Sequence, residues 1–157
     1  MNYRRLTLQE LESLEQEFVY FLIANGIPAD HWEKIKTADT DKMNALLDEF
    51  SDLVFQTSVE KAEYLLHINS GELTLFHCKP DEIQFYSITS SHSEIDLTAF
   101  DSFDKLIEHL ETDQNMQKVN FCSPYRPDRA KTIFQLMESG CGISDRHTFE
   151  QVTSLFK

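Results

Sequence analysis

Pro124-Tyr125-Arg126-Pro127-Asp128-Arg129, followed closely by Lys131, is the most unusual polar stretch of this chain. An aromatic ring beside two guanidiniums can grip a small anion or an acidic partner segment, because arginine presents a planar fork of donors that matches carboxylate and phosphate geometry. The same residues also read as a plain strand-to-helix connection, with Asp128 favourable in the first turn of a helix. Tyr125, Arg126, Arg129 and Lys131 are therefore the candidate ligand-binding residues. Cys141 is the candidate reactive thiol, since it stands between Gly140 and Gly142 in an expected turn, a little ahead of His147. A thiol attacks as the thiolate and needs a base within hydrogen-bond reach. No oxyanion-hole signal accompanies this pair.

Other chemistries find less support. Gly140-Cys141-Gly142 follows an expected helix rather than a strand and precedes no Lys-Ser/Thr, so it reads as a helix C-cap rather than a phosphate loop. There is no Cys-x-x-Cys, His-Glu-x-x-His or Asp-x-Asp-x-Asp-Gly. His77 and Cys78 are adjacent on an expected strand and must point to opposite faces. Only a long-range meeting of His67, His77, Cys78, Cys122 and Cys141 could bind a metal, so neither metal nor cofactor is expected. Cys78 and Cys122 alternate with apolar residues and read as small buried hydrophobes. His31, His92 and His109 lie in polar contexts and read as surface residues. Asp48, Glu49 and Asp52 share one amphipathic helix and read as its solvated face.

Charge narrows the partners. The chain has 157 residues with 27 acids and 14 bases, a formal net charge of -13. That argues against a main role in gripping nucleic acid, where affinity comes from Lys and Arg displacing counterions. Residues 130–156 have the outline of a helix-turn-helix, but the second helix offers Thr148, Glu150, Gln151 and Ser154 rather than a basic face. The acids are concentrated: residues 94–113 hold seven against the single base Lys105. Past that segment the bases Lys118, Arg126, Arg129, Lys131, Arg146 and Lys157 outnumber the acids Asp128, Glu138, Asp145 and Glu150. A small anionic ligand thus fits near Tyr125–Lys131, and an acidic surface that mimics nucleic acid to occupy a basic partner is a further reading. With 12 Phe, 5 Tyr and one Trp the chain is too aromatic for a disordered class. Arg4 and Arg5 lead into Gln9, Glu10, Glu12 and Glu15 rather than a signal-peptide core. The longest apolar run, Phe18 to Ala24, falls well short of the ~20 residues of a membrane span. An odd three cysteines without framework spacing fit a reducing, cytoplasmic setting.

The elements that would position these residues follow from period and caps. Residues 1–70 read as all helical. Thr7-x-x-Glu10 is a capping box, Leu8 through Leu22 recur at helical spacing, and Gly26 is a left-handed stop. From Phe18 to Ile23 every residue is apolar, which predicts burial on more than one side. Asp30-x-x-Glu33 predicts a cap for a short second helix anchored by Trp32 and Ile35. A third helix carries Met43, Leu46, Leu47, Phe50, Leu53 and Val54, and either runs on through Ala62, Leu65 and Leu66 or breaks at Thr57-x-x-Glu60. Residues 73–78 and 83–88 read as a hairpin about Lys79-Pro80-Asp81-Glu82. A polar loop over 90–96, a helix face of Phe103, Leu106, Ile107 and Leu110, and a strand at Val119–Cys122 come next. A helix opened by Pro127 and closed by Gly140, and a last helix with Phe149, Val152, Leu155 and Phe156, complete the order. The expectation is a single α+β domain over 1–157, its helical N-terminal half packed with a small mixed sheet of about three strands in a ββαβαα second part. Were the strand at 119–122 parallel to 83–88, its crossover would be right-handed.

Several strings together resemble a family of small bacterial proteins known only as a domain of unknown function. They are Tyr3-Arg4-Arg5-Leu6-Thr7, Phe50-Ser51-Asp52-Leu53-Val54, Lys61-Ala62-Glu63-Tyr64-Leu65, Pro124-Tyr125 and Ile143-Ser144-Asp145. The resemblance covers nearly the whole chain and implies a bacterial cytoplasmic protein of one domain, with no activity or site to carry over. No catalytic constellation stands out, so the leading expectation is a non-catalytic soluble protein that acts by binding another protein or itself. Phe18–Ile23, with Phe55 and Val59 off the main stripe of the third helix, is the expected apolar patch. The rival is an enzyme or small-anion binder with a cleft at Tyr125–Arg129 and Cys141.

Overall fold

The computed structural model describes residues 2–90 and 94–157. His92 and the middle of the expected polar loop lie outside the described residues. The chain divides into two compact units, one running to Ser58 and the other Val59–Lys157.

In the first unit the capping box forms as the sequence predicts. Thr7 caps α1 (Leu8–Ser13), its hydroxyl accepting from the Glu10 amide while the Glu10 carboxylate accepts from the Thr7 amide. The single helix expected here breaks at Leu14, and α2 (Glu15–Ala24) follows. Gly26 has φ 73° and ends it. The short helix α3 (Ala29–Ala38) has Pro28 rather than Asp30 at its N-cap. Proline there needs no amide partner and pre-sets the chain for entry. The long helix α4 (Thr40–Lys61) begins here and ends in the second unit. Leu22, Ile27, Ile35 and Leu46 form the core, flanked by Phe18, Phe21, Trp32 and Met43. Ring contacts of 4.9 Å (Phe18–Phe50) and 5.2 Å (Phe18–Trp32) tie it together.

The N-terminal segment is strapped along α4 by the acids expected to face solvent. Asp52 accepts from the amides of Asn2 and Tyr3 at 2.9 and 3.1 Å, and Asp48 accepts from Arg5 at 2.7 Å. Ser51, fully buried, accepts from the Leu6 amide at 2.9 Å and donates to the Leu47 carbonyl at 2.7 Å. Arg4 grips Glu10 with both guanidinium branches and lies over the Phe55 ring.

The second unit is built on one five-stranded sheet, and this corrects the expected three-stranded mixed sheet. Its order is β4-β3-β2-β1-β5, antiparallel throughout. The strands are β1 (Tyr64–Ile68), β2 (Glu72–Cys78), β3 (Glu82–Thr89), β4 (Gln117–Pro124) and β5 (Gly142–Ser144). Since β4 runs antiparallel to β3, the parallel crossover does not arise. Two strands escaped the sequence pattern. β1 falls in the stretch expected to stay helical, because Ala62, Leu65 and Leu66 continue the helical spacing of α4 by coincidence. β5 is only three residues long and carries glycine, so it offers neither length nor alternation. It also replaces the turn of the helix-turn-helix outline.

Between the strands lie α5 (Phe103–Thr112), capped by Ser102, and α6 (Arg129–Glu138), while α7 (Arg146–Ser154) follows β5. Asp128, not Pro127, caps α6, its carboxylate accepting from the Lys131 amide. One sheet face carries Leu73, Leu75, Tyr86 and Ile88 against Leu106, Ile107 and Leu110 of α5 and Val152 and Leu155 at α7. His109, expected on the surface, is instead half-buried and packs tilted against Phe100, with ring centroids 5.1 Å apart. The α+β class holds, with seven helices and five strands among the described residues.

Candidate functional site

Arg129 opens α6 and turns its guanidinium back onto the end of α4 and the end of β2. One terminal nitrogen donates to the Val59 carbonyl at 3.0 Å, the other to the Ala62 and Cys78 carbonyls at 2.7 and 3.2 Å. A helix leaves its last carbonyls without intrahelical donors and its C-terminus partly negative, so a guanidinium answers both needs. Tyr125 is similarly committed. Its hydroxyl donates to the Lys79 carbonyl at 2.6 Å, and burial holds the phenol at about 12. Arg126 is exposed, exchanges hydrogen bonds with Thr132 through its backbone, and precedes a cis bond to Pro127. Lys131 is exposed on α6. The structure thus gathers Tyr125 and Arg129 around the hairpin end, where both hold backbone carbonyls. An open cavity of about 690 Å³ lies beside Arg129, lined by Glu60, Glu63, His77, Cys78 and Lys79 among others.

The thiols sit in different settings. Cys78 is buried, and burial pushes its thiol up to about 11. Cys141 is half-buried, and burial raises its thiol as well, which is the reverse of what activates a nucleophile. His147 is exposed in the first turn of α7. Cys122 is exposed on β4 rather than buried, because β4 stands at the sheet edge. His77 packs beside the mutually stacked Tyr64 and Phe149 rings, at 4.9 Å from each, and burial lowers its pKa. Among the described residues no group of three or more His, Cys, Asp or Glu could hold a metal ion.

The feature that composition did not single out is β4 itself. It is an edge strand of eight residues, and among the described residues no strand pairs with its outer side. Such an edge presents a row of unpaired amides and carbonyls. Its partners on β3 set Phe85 opposite Phe121, and the next rung sets Phe76 opposite Phe85. These rings form a ladder, with centroids 5.4 Å apart for Phe76–Phe85 and 4.8 Å for Phe85–Phe121. The ladder ends in the open, since Phe121 and Val119 on that face are each 50% exposed. Lys118 is the single charged residue of the strand, and its ammonium is folded away onto the Leu155 carbonyl at the end of α7. The other edge, β5, is blunted by its shortness. The sequence signal was available: Val119, Phe121 and Ser123 alternate with Lys118, Asn120 and Cys122, with no acid in a very acidic chain.

The expected apolar patch changes shape. Phe55 and Val59 are buried, at 7% and 1% exposure. In α2, Leu22 is buried while Val19, Tyr20 and Ile23 face outward, so that run is covered on one side rather than on several. Among the described residues no helix is long and apolar enough to cross a membrane.

A model for a family of unknown function, DUF6495, matches residues 1–157. No curated protein and no solved structure matches the chain.

Proposed function

The chain belongs to DUF6495, a family of unknown function, and from that premise we propose that it acts without catalysis, by pairing another polypeptide along β4. The observation that carries this reading is the half-exposed Val119 and Phe121 on an eight-residue edge strand. Proteins ordinarily blunt such edges with charge, proline, a bulge or a cover, since an open one accepts a further strand. Here the charged side chain is tied elsewhere and Pro124 sits at the far end. Main-chain hydrogen bonds would supply affinity, and the alternate apolar side chains would supply selectivity. Raised thiol pKa values at Cys78 and Cys141, and the commitment of Tyr125 and Arg129 to backbone carbonyls, support a non-catalytic role. The three free cysteines support a reducing compartment.

Affinity capture from native extract, comparing the wild-type chain with Val119→Lys/Phe121→Lys, tests the reading. Polypeptides retained by the wild type and lost by the double variant are expected. Identical recovery by both chains would overturn it.

A further inference from the structure

We infer that the strand seated on β4 is β4 of a second copy of this chain, antiparallel and two-fold symmetric, so that two five-stranded sheets join edge to edge. The inference rests on the interaction reading above and names its partner. A two-fold axis perpendicular to the sheet reverses strand direction and keeps each face on its own side, which is the relation antiparallel pairing requires. Centred on Phe121, it brings the two Phe121 rings opposite one another. The ladder Phe76–Phe85–Phe121 then continues into its own image, and the half-exposed end of the aromatic row is covered by the same chemistry that covers its inner rungs.

The strand's charge pattern permits this self-pairing. A basic segment would find no carboxylate within Gln117–Pro124, and in the two-fold register centred on Phe121 each Lys118 falls opposite Pro124 of the other copy rather than opposite another ammonium. An alternating strand with no acid and one base set away from the axis can therefore pair with its own image without opposing like charges. Whole copies each carry a net charge of -13 and repel at long range. Salt screens that repulsion, with a Debye length of about 10 Å at 0.1 M and about 3 Å at 1 M. Self-association through β4 therefore tightens as salt rises, whereas a charge-matched foreign partner would loosen. One pair of strands is small beside the ~1,600 Å² of a standard interface, so the dimer exchanges readily rather than being permanent.

Sedimentation velocity of the full chain over a wide concentration range, at low and high salt, tests this. The wild type is expected to form a dimer that tightens at high salt. Phe121→Lys and Val119→Lys, at exposed positions, are expected to weaken it by about tenfold or more, since a charge in the paired strand is how natural edges prevent association. Ile143→Lys on β5 should leave it unchanged. Thermal melts identify any variant that fails to fold, and Asn120→Lys, on the opposite face of β4, then serves in its place. A wild type that stays monomeric throughout, or a dimer lost with Ile143→Lys and kept with Phe121→Lys, overturns the inference. A monomeric chain that still captures a foreign polypeptide through β4 overturns this inference alone. A monomeric chain with no β4-dependent capture overturns the interaction reading too.

Discussion

Replacing Arg129 should cost the protein more stability than any other single surface-accessible change around the hairpin. Its guanidinium donates to the carbonyls of Val59, Ala62 and Cys78, at 3.0, 2.7 and 3.2 Å. Hydrogen bonds to a charged group are worth ~1.5–3 kcal/mol each in net terms. Three bonds from one side chain do not add, and the group is only part-buried. Taking one to two bond equivalents gives a loss of about 2–4 kcal/mol for Arg129→Met. At about 2–4 °C per kcal/mol for a chain of this length, the melting temperature should fall by roughly 10 °C. Arg129→Lys should recover little of this, because one ammonium cannot reproduce a fork that reaches three oxygens on two elements. Thermal unfolding followed by circular dichroism reads the effect directly. A shift below about 1 °C for Arg129→Met would mean that water serves those carbonyls equally well, and the capping account would be wrong.

Ser51→Ala should destabilise the chain by about 1–3 kcal/mol in urea melts, because it leaves the buried Leu6 amide without its acceptor. The Arg4 guanidinium, helped by the Thr7 amide, holds the Glu10 carboxyl at about 2 against an ordinary 4.5. A depressed carboxyl contributes stability that is present above the ordinary value and lost as pH falls toward the folded one. Glu10→Gln should therefore flatten the acid limb of stability between about pH 4.5 and 2, and an unchanged limb would remove that pair from the account. In mass-resolved alkylation at neutral pH, exposed Cys122 should react first, Cys141 more slowly than free cysteine, and buried Cys78 last. A Cys141 that outran free cysteine would restore a reactive-thiol role.

Elements whose local signals agreed were readable from residue types. Thr7 and Glu10 fixed one helix start, and the alternation on both sides of Lys79–Glu82 fixed the β2–β3 hairpin. Phe103, Leu106, Ile107 and Leu110 fixed the buried stripe of α5. Failures came where two periods fit the same residues or where length was lacking. Leu65 and Leu66 suit a helix that continues α4 and a strand equally, and tertiary pairing with β2 decided for the strand. The three residues of β5 carry no periodicity at all. Val59 looked like an off-stripe residue but is buried, because a helix end can bury more than one stripe when other elements meet there. At the candidate site, guanidinium and phenol were readable as chemistry but not as caps, since their partners are backbone carbonyls, which no side-chain pattern reveals. The open edge of β4 was hidden for another reason. Whether a strand is central or peripheral depends on sheet order, and order is a property of the whole unit.

Amide hydrogen exchange along Gln117–Pro124, measured on the unmodified chain as its concentration is raised, tests the central claim most directly. Pairing of β4 with a second copy predicts that alternate amides of this strand gain protection with concentration, more so at high salt, while those of β5 do not change. Exchange in β4 that is independent of concentration would contradict it.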